Sequence, residues 1–121
     1  MALDRLYVLT AFVWLIFGMV FGIYLGITDQ TNLANSHAHI GLLGFVLSTL
    51  FGLLHRAWPA LRISPLSRWQ FWIYQIGTVL LVIGKYQVDT SEVSPIVAPG
   101  ALIVVTGTLL MAWLFATKSA G

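Results

Sequence analysis

The sequence predicts an all-α membrane protein, a bundle of four transmembrane helices forming one domain over residues 1–121, and three observations carry that expectation. Of the 121 residues 59% are hydrophobic and 8% are charged, whereas soluble domains carry roughly a quarter charged residues. The mean hydropathy is +0.90. The apolar residues fall into four runs, about 6–28, 36–58, 69–87 and 94–117, each close to the roughly 20 residues that cross a bilayer core.

The first run opens after a short basic start at Arg5. It is longer than the apolar core of a signal peptide and has no small-residue cleavage site before Asp29, so it reads as a helix. Thr31, Asn32 and Asn35 in the following TDQTNLANS segment are candidate helix caps. The second run, NSHAHIGLLGFVLSTLFGLLHRAWP over 35–59, holds all three histidines of the chain. The PALRISP stretch, Pro59 to Pro65, ends it and forms a long connection. The third run starts at Trp69, and the fourth opens with Ser94 as an N-cap, Pro95 at the first helical position and Pro99 within the first turn.

Charge sets the expected orientation. The connection after the second run carries Arg56, Arg62 and Arg68, and the termini carry Arg5 and Lys118. The positive-inside rule places these on the cytoplasmic side of a bacterial inner membrane, with the histidine pair toward the outer side. Trp58, Trp69 and Trp72 fall where an inner aromatic belt lies, and Tyr24 and Tyr86 where an outer one lies. The net charge of +2 is thereby read as topology, not nucleic-acid binding. Lys85, Asp89 and Glu92 read as a solvated outer loop, or Lys85 or Tyr86 as the holder of an anionic group such as a haem propionate.

The chain has no cysteine, which removes disulfides, thiolate ligands, covalent haem attachment and iron-sulfur clusters. A bound metal must then be held by histidine, and an ionisable residue inside a span points to function by default. At about 100° per residue, His37 and His39 lie on opposite sides of the second helix and cannot share one ion. Gly41, Gly44, Ser48, Gly52 and His55 follow His37 down one face. Such a small-residue stripe admits a neighbouring helix or the plane of a macrocycle, and Gly18, Gly22 and Gly26 repeat the device on the first helix. His55 lies about 24 Å below His39 at 1.5 Å per residue, and reads as an interfacial or packing residue whose ring snorkels. Spacing alone leaves two readings of the HxH pair open, headgroup-level imidazoles or ligands. No carboxylate falls inside a span, which argues against proton pumping.

The runs HAHIGLLGFV, FGLLHRAWP and FWIYQIGTVL resemble the tenth and eleventh transmembrane helices of the catalytic subunit of cbb-type haem-copper oxidases and the related nitric oxide reductases. The matching positions include His37, His39, Gly41, Leu43, Gly44, Val46, Phe51, Gly52, Pro59, Phe71, Trp72 and Gly77, within about Ser36 to Leu80. The resemblance implies haem b as cofactor, with His37 and His39 as iron ligands on opposite sides of the helix and Gly41 and Gly44 beside the cofactor. A full subunit of that family has about twelve spans in three arcs, so one copy here cannot be an oxidase and three copies in closed cyclic symmetry would match it. The expectation is a homotrimer with haem in clefts between protomers, ligated by His39 of one chain and His37 of its neighbour. Ligation by two histidines suits electron transfer, and by one leaves iron open to O₂ or NO, so oxidoreductase activity is left open. The alternative is a non-haem copper or zinc site of metal handling or oxidase assembly, with one histidine from each of three copies.

Overall fold

The computed structural model describes residues 1–120, and its architecture is entirely helical. Helix α1 spans Leu3–Thr28, α2 Thr31–Ala57, α3 Leu66–Ser91 and α4 Val97–Lys118. The helices run alternately up and down. Both termini meet the α2–α3 connection at one end, where Arg68 donates to the Met1 carbonyl at 2.7 Å and Lys118 lines a common cleft with Ala60 and Ser64. This is the Arg-rich end; the opposite end carries His37 and His39.

Helices α1, α2 and α4 are long and apolar enough to cross a membrane. The expected third span falls short on composition, and the fold gives the reason. Its polar side chains Ser67, Gln70, Gln75 and Thr78 are buried inside the bundle, so α3 is polar on the face that the other helices cover. Helix α1 is the reverse, with Phe12, Val13, Ile16, Met19, Val20 and Ile23 all exposed.

Several boundaries differ from those expected. Helix α3 runs on to Ser91, because Lys85 and Asp89 pair along its own turn and need no loop to solvate them. Helix α4 begins at Val97. Ser94 accepts from the Ile96 amide at 3.2 Å, so Ser94 and Pro95 form the turn before the helix instead of its cap and first residue. Asp29 and Glu92 close α1 and α3 in the left-handed conformation, at φ 56° and 64°, which the short polar aspartate tolerates better than most residues.

The core is aromatic toward the Arg-rich end. Tyr7 of α1 meets Phe71 of α3 edge-on at 4.7 Å, and Phe51 of α2 meets Tyr74 of α3 at 5.0 Å. Helices α3 and α4 approach through glycines: a Cβ added at Gly100 would stand 2.6 Å from the Leu81 backbone nitrogen, and one at Gly84 would stand 2.7 Å from Val97. Gly100→Leu is therefore expected to force the pair apart and to lower the midpoint of thermal unfolding in detergent, at a cost of about 1–3 kcal/mol. Gly26→Ala, where nothing lies within 4 Å, is the control and should be neutral or slightly stabilising.

Candidate functional site around the histidine pair

The start of α2 is pinned before its histidines are reached. Ser36 donates to the Asp89 carboxylate at 2.6 Å, Asn32 donates to the Asp89 carbonyl at 3.2 Å, and Lys85 meets the same carboxylate at 2.6 Å. Asn32 therefore serves as a cross-helix tie, with its side chain not used as a cap. Burial by itself would push the Asp89 carboxyl up, but the hydrogen bonds from Lys85 and Ser36 and the Lys85 charge outweigh it and hold the group below its ordinary 3.8. Lys85 is thus engaged by Asp89, while Tyr86 is exposed on α3.

His37 faces α1. A Cβ on Gly22 would lie 2.9 Å from its Cε1, and the Phe21 ring is 6.3 Å away. One side of the imidazole borders a cleft of about 390 Å³ lined by Trp14, Gly18, Met19, Gly41, Phe45 and other groups. The other side borders a second cleft lined by Gly22, Gly26, Asp29 and Thr31. The ring itself is exposed on the single chain.

His39 lies in the same regular α-helical segment, Ala34–His39, two residues on and so pointing away from α1. Its Nδ1–H donates to the Asn35 carbonyl at 2.9 Å. A carbonyl only accepts, so this bond puts a proton on Nδ1, and in the neutral ring the Nε2 lone pair is then free. A ligating histidine is commonly oriented in this way by a backbone carbonyl.

Directly after His39 the helix widens into a π-helical segment, Ile40–Val46, and inside it the Tyr74 hydroxyl of α3 donates to the Leu43 carbonyl at 2.7 Å. A side chain inserted into the backbone ladder is a known cause of such irregularity, and π segments cluster at functional sites. The wider turn changes the angular register. The buried line of α2 runs Leu33, Ser36, Ile40, Gly44, Ser48, Gly52 and His55, whereas a straight-helix projection runs it through His37 and Gly41. Sequence reasoning missed the π segment because a uniform 100° advance was assumed; the two glycines within it were the only available hint.

The glycine stripes are largely filled from within the chain. Trp14 covers Gly44, the Tyr7 and Val8 turn of α1 covers Gly52, and Ile40 covers Gly18. Gly44 thus receives an indole from α1, while Gly41 stays open, with nothing within 4 Å of an added Cβ. His37, Gly41 and Gly18 share one cleft, and His39 stands apart from it.

His55 departs from the interfacial, snorkelling position expected of it. It is fully buried and stacks on Tyr7 at 5.7 Å, because the α1 turn from Asp4 to Tyr7 packs over it; the packing part of the expectation stands. Among the described residues no three His, Cys, Asp or Glu side chains come together to hold a metal ion.

The family described as Protein of unknown function (DUF2871) matches residues 4–114. The chain belongs to this family. The match takes in all of α2 and α3 and nearly all of α1 and α4, so the histidine pair, the π segment and the Asp89 tie all lie within it. Comparison with curated proteins and with solved structures gives no match.

The Asp89 tie predicts a pH dependence with a definite sign. A carboxyl held below its ordinary value in the folded chain stabilises the fold above that ordinary value, and the contribution is lost as pH falls through the lowered one. The difference in thermal midpoint between wild type and Asp89→Asn is expected to be present at pH 7 and to shrink on titration below 3.8. A difference that stays constant down to pH 2 would refute the assignment.

Proposed function

We propose that this chain is a membrane protein that binds haem b through His39, and that it works in electron transfer or in O₂ or NO chemistry. The observation that carries the reading is the His39 Nδ1–H bond to Asn35, which leaves Nε2 as a free, oriented donor. The π segment immediately below it supports a built site, and the open Gly41 lies in the cleft beside His37. Bound haem supplies redox-active iron whose reactivity depends on whether one or two imidazoles reach it.

The residues fit that group in part from one chain. His39 would hold the iron through Nε2. His37, across the helix and beside the cleft with Gly41, is the candidate ligand toward a neighbouring chain, while Gly44 stays under Trp14 and supports the helix instead of the cofactor. Because the two imidazoles of one chain face apart, the reading assembles the chain into a homotrimer with a cofactor in each crevice between protomers. The broad apolar face of α1 then meets lipid or a sister chain. The charge distribution supports the part of the reading that sets the assembly in a bacterial inner membrane with His37 and His39 on the outer side. The likeness of HAHIGLLGFV to the haem-ligating helix of cbb-type oxidases and nitric oxide reductases supports the same reading.

The second reading is a non-haem copper or zinc site. No single chain gathers three ligands among its described residues, so that site would take one His39 from each of three copies, an arrangement imidazole suits for either metal.

An absorption spectrum, a pyridine haemochrome assay and elemental analysis on one purified sample separate the two. The expected result is a Soret band that is abolished in His39→Ala and retained in Gly26→Ala. Stoichiometric copper or zinc with no pigment would favour the second reading, and a monomer or dimer by mass in detergent would overturn the trimer.

A further inference from the structure

Four buried side-chain polar atoms lack a hydrogen-bond partner among the described residues, and three of them belong to two side chains on adjacent turns: Asp4 Oδ1 and both ring nitrogens of His55. The helices bring these residues together. A Cβ at Gly52, one turn above His55 on α2, would lie 3.1 Å from the Asp4 carbonyl and 2.9 Å from the Tyr7 Cβ. The Asp4–Tyr7 turn of α1 therefore lies against the Gly52–His55 turn of α2. The His55 ring stacks on Tyr7 with 19° between planes, and the Tyr7 hydroxyl is already given to Gln70. Arg62 Nη1 pairs with Asp4 Oδ1 at 3.1 Å, and a carboxylate oxygen, with two lone pairs, keeps room for a second donor.

A neutral imidazole carries one donor and one acceptor, and leaving either unmatched in a bundle core costs free energy. The surroundings decide what can match them. A metal ion lacks a third ligand here and would face the guanidinium groups of Arg56 and Arg62 on Asp4. An anion would face the Asp4 carboxylate. An apolar group satisfies neither nitrogen. Water can accept from the ring N–H while donating to the carboxylate, a second water can donate to the bare ring nitrogen, and both have a route in: the Arg56 side chain is 76% exposed at the end of the bundle and that of Asp4 12%, while His55 beyond them is fully buried.

We infer that internal water bridges Asp4 Oδ1 and the imidazole of His55, making the two side chains a built water-binding site at the Arg-rich end of the bundle. The water accepts from the ring N–H and donates to the carboxylate. Buried waters of this kind typically make about three hydrogen bonds to groups that would otherwise go unmatched. The site is independent of the haem reading, since His55 is far down α2 from His39.

The test uses the full chain in detergent, labelled with nitrogen-15 histidine. The His55 ring N–H, identified by its loss in His55→Phe, is expected to show a cross-peak to water. His55→Phe, which keeps the stacked ring and removes both nitrogens, is expected to lower the thermal midpoint by about 4 °C, and His55→Gln to recover part of that loss. Either of two results overturns the inference: a His55 ring with no water cross-peak, or a His55→Phe protein that melts at or above the wild type, which is the behaviour of an imidazole with no partner to lose.

Discussion

Two glutamines of α3 tie the four helices together. Gln75 accepts from the Trp14 indole of α1 at 3.0 Å and donates to the Ser48 hydroxyl of α2 at 2.9 Å. Gln70 accepts from the Tyr7 hydroxyl of α1 and donates to the Gly107 carbonyl of α4 at 3.0 Å. A buried primary amide must satisfy both ends to be tolerated in an apolar core, and here each end reaches a different helix. The bonds fix the rotation of α1, α2 and α4 about α3. Among the apolar side chains of the core many rotations are nearly equivalent, so these bonds supply the specificity that packing alone does not.

The same logic extends to the histidine end. Tyr74, between the two glutamines on α3, reaches the Leu43 carbonyl in the widened segment of α2. The register shift that brings Ser36 onto the buried line, and so within reach of Asp89, also leaves the His37 ring outside it. His37 therefore faces the α1 groove beside Gly22 as an accessible side chain, and His39 keeps a free nitrogen on the other side. The position of both imidazoles thus traces back to polar contacts made by α3.

The helical class and the helix order could be read directly from the apolar runs. The segment that carries His37 and His39 is regular α-helix, so the 100° rule used on the sequence applies to that pair. The failures have local causes. The extension of α3 past Gln87 was hidden because Lys85 and Asp89 look solvated in sequence and are paired in space. Gln70 and Gln75 dilute the hydropathy of α3 because their partners are distant in the chain. The π segment was invisible because the Tyr74 hydroxyl that accompanies it lies on another helix. His55 was read from its neighbour Arg56 when its surroundings are set by Tyr7.

The uneven polarity of the helices bears on how such a chain is built. Helix α1 could enter a bilayer on its own, with few polar groups to hide. Helix α3 could not do so as cheaply, because its amides and hydroxyls find partners only once α1 and α2 are already in place and α4 arrives to close the last side. Synthesis order matches that need: the chain emerges with two helices ahead of α3, and the short turn through Ser94 and Pro95 delivers α4 immediately behind it. In a membrane, co-insertion of α3 and α4 as a hairpin onto a waiting α1–α2 pair would keep both glutamines out of hydrocarbon.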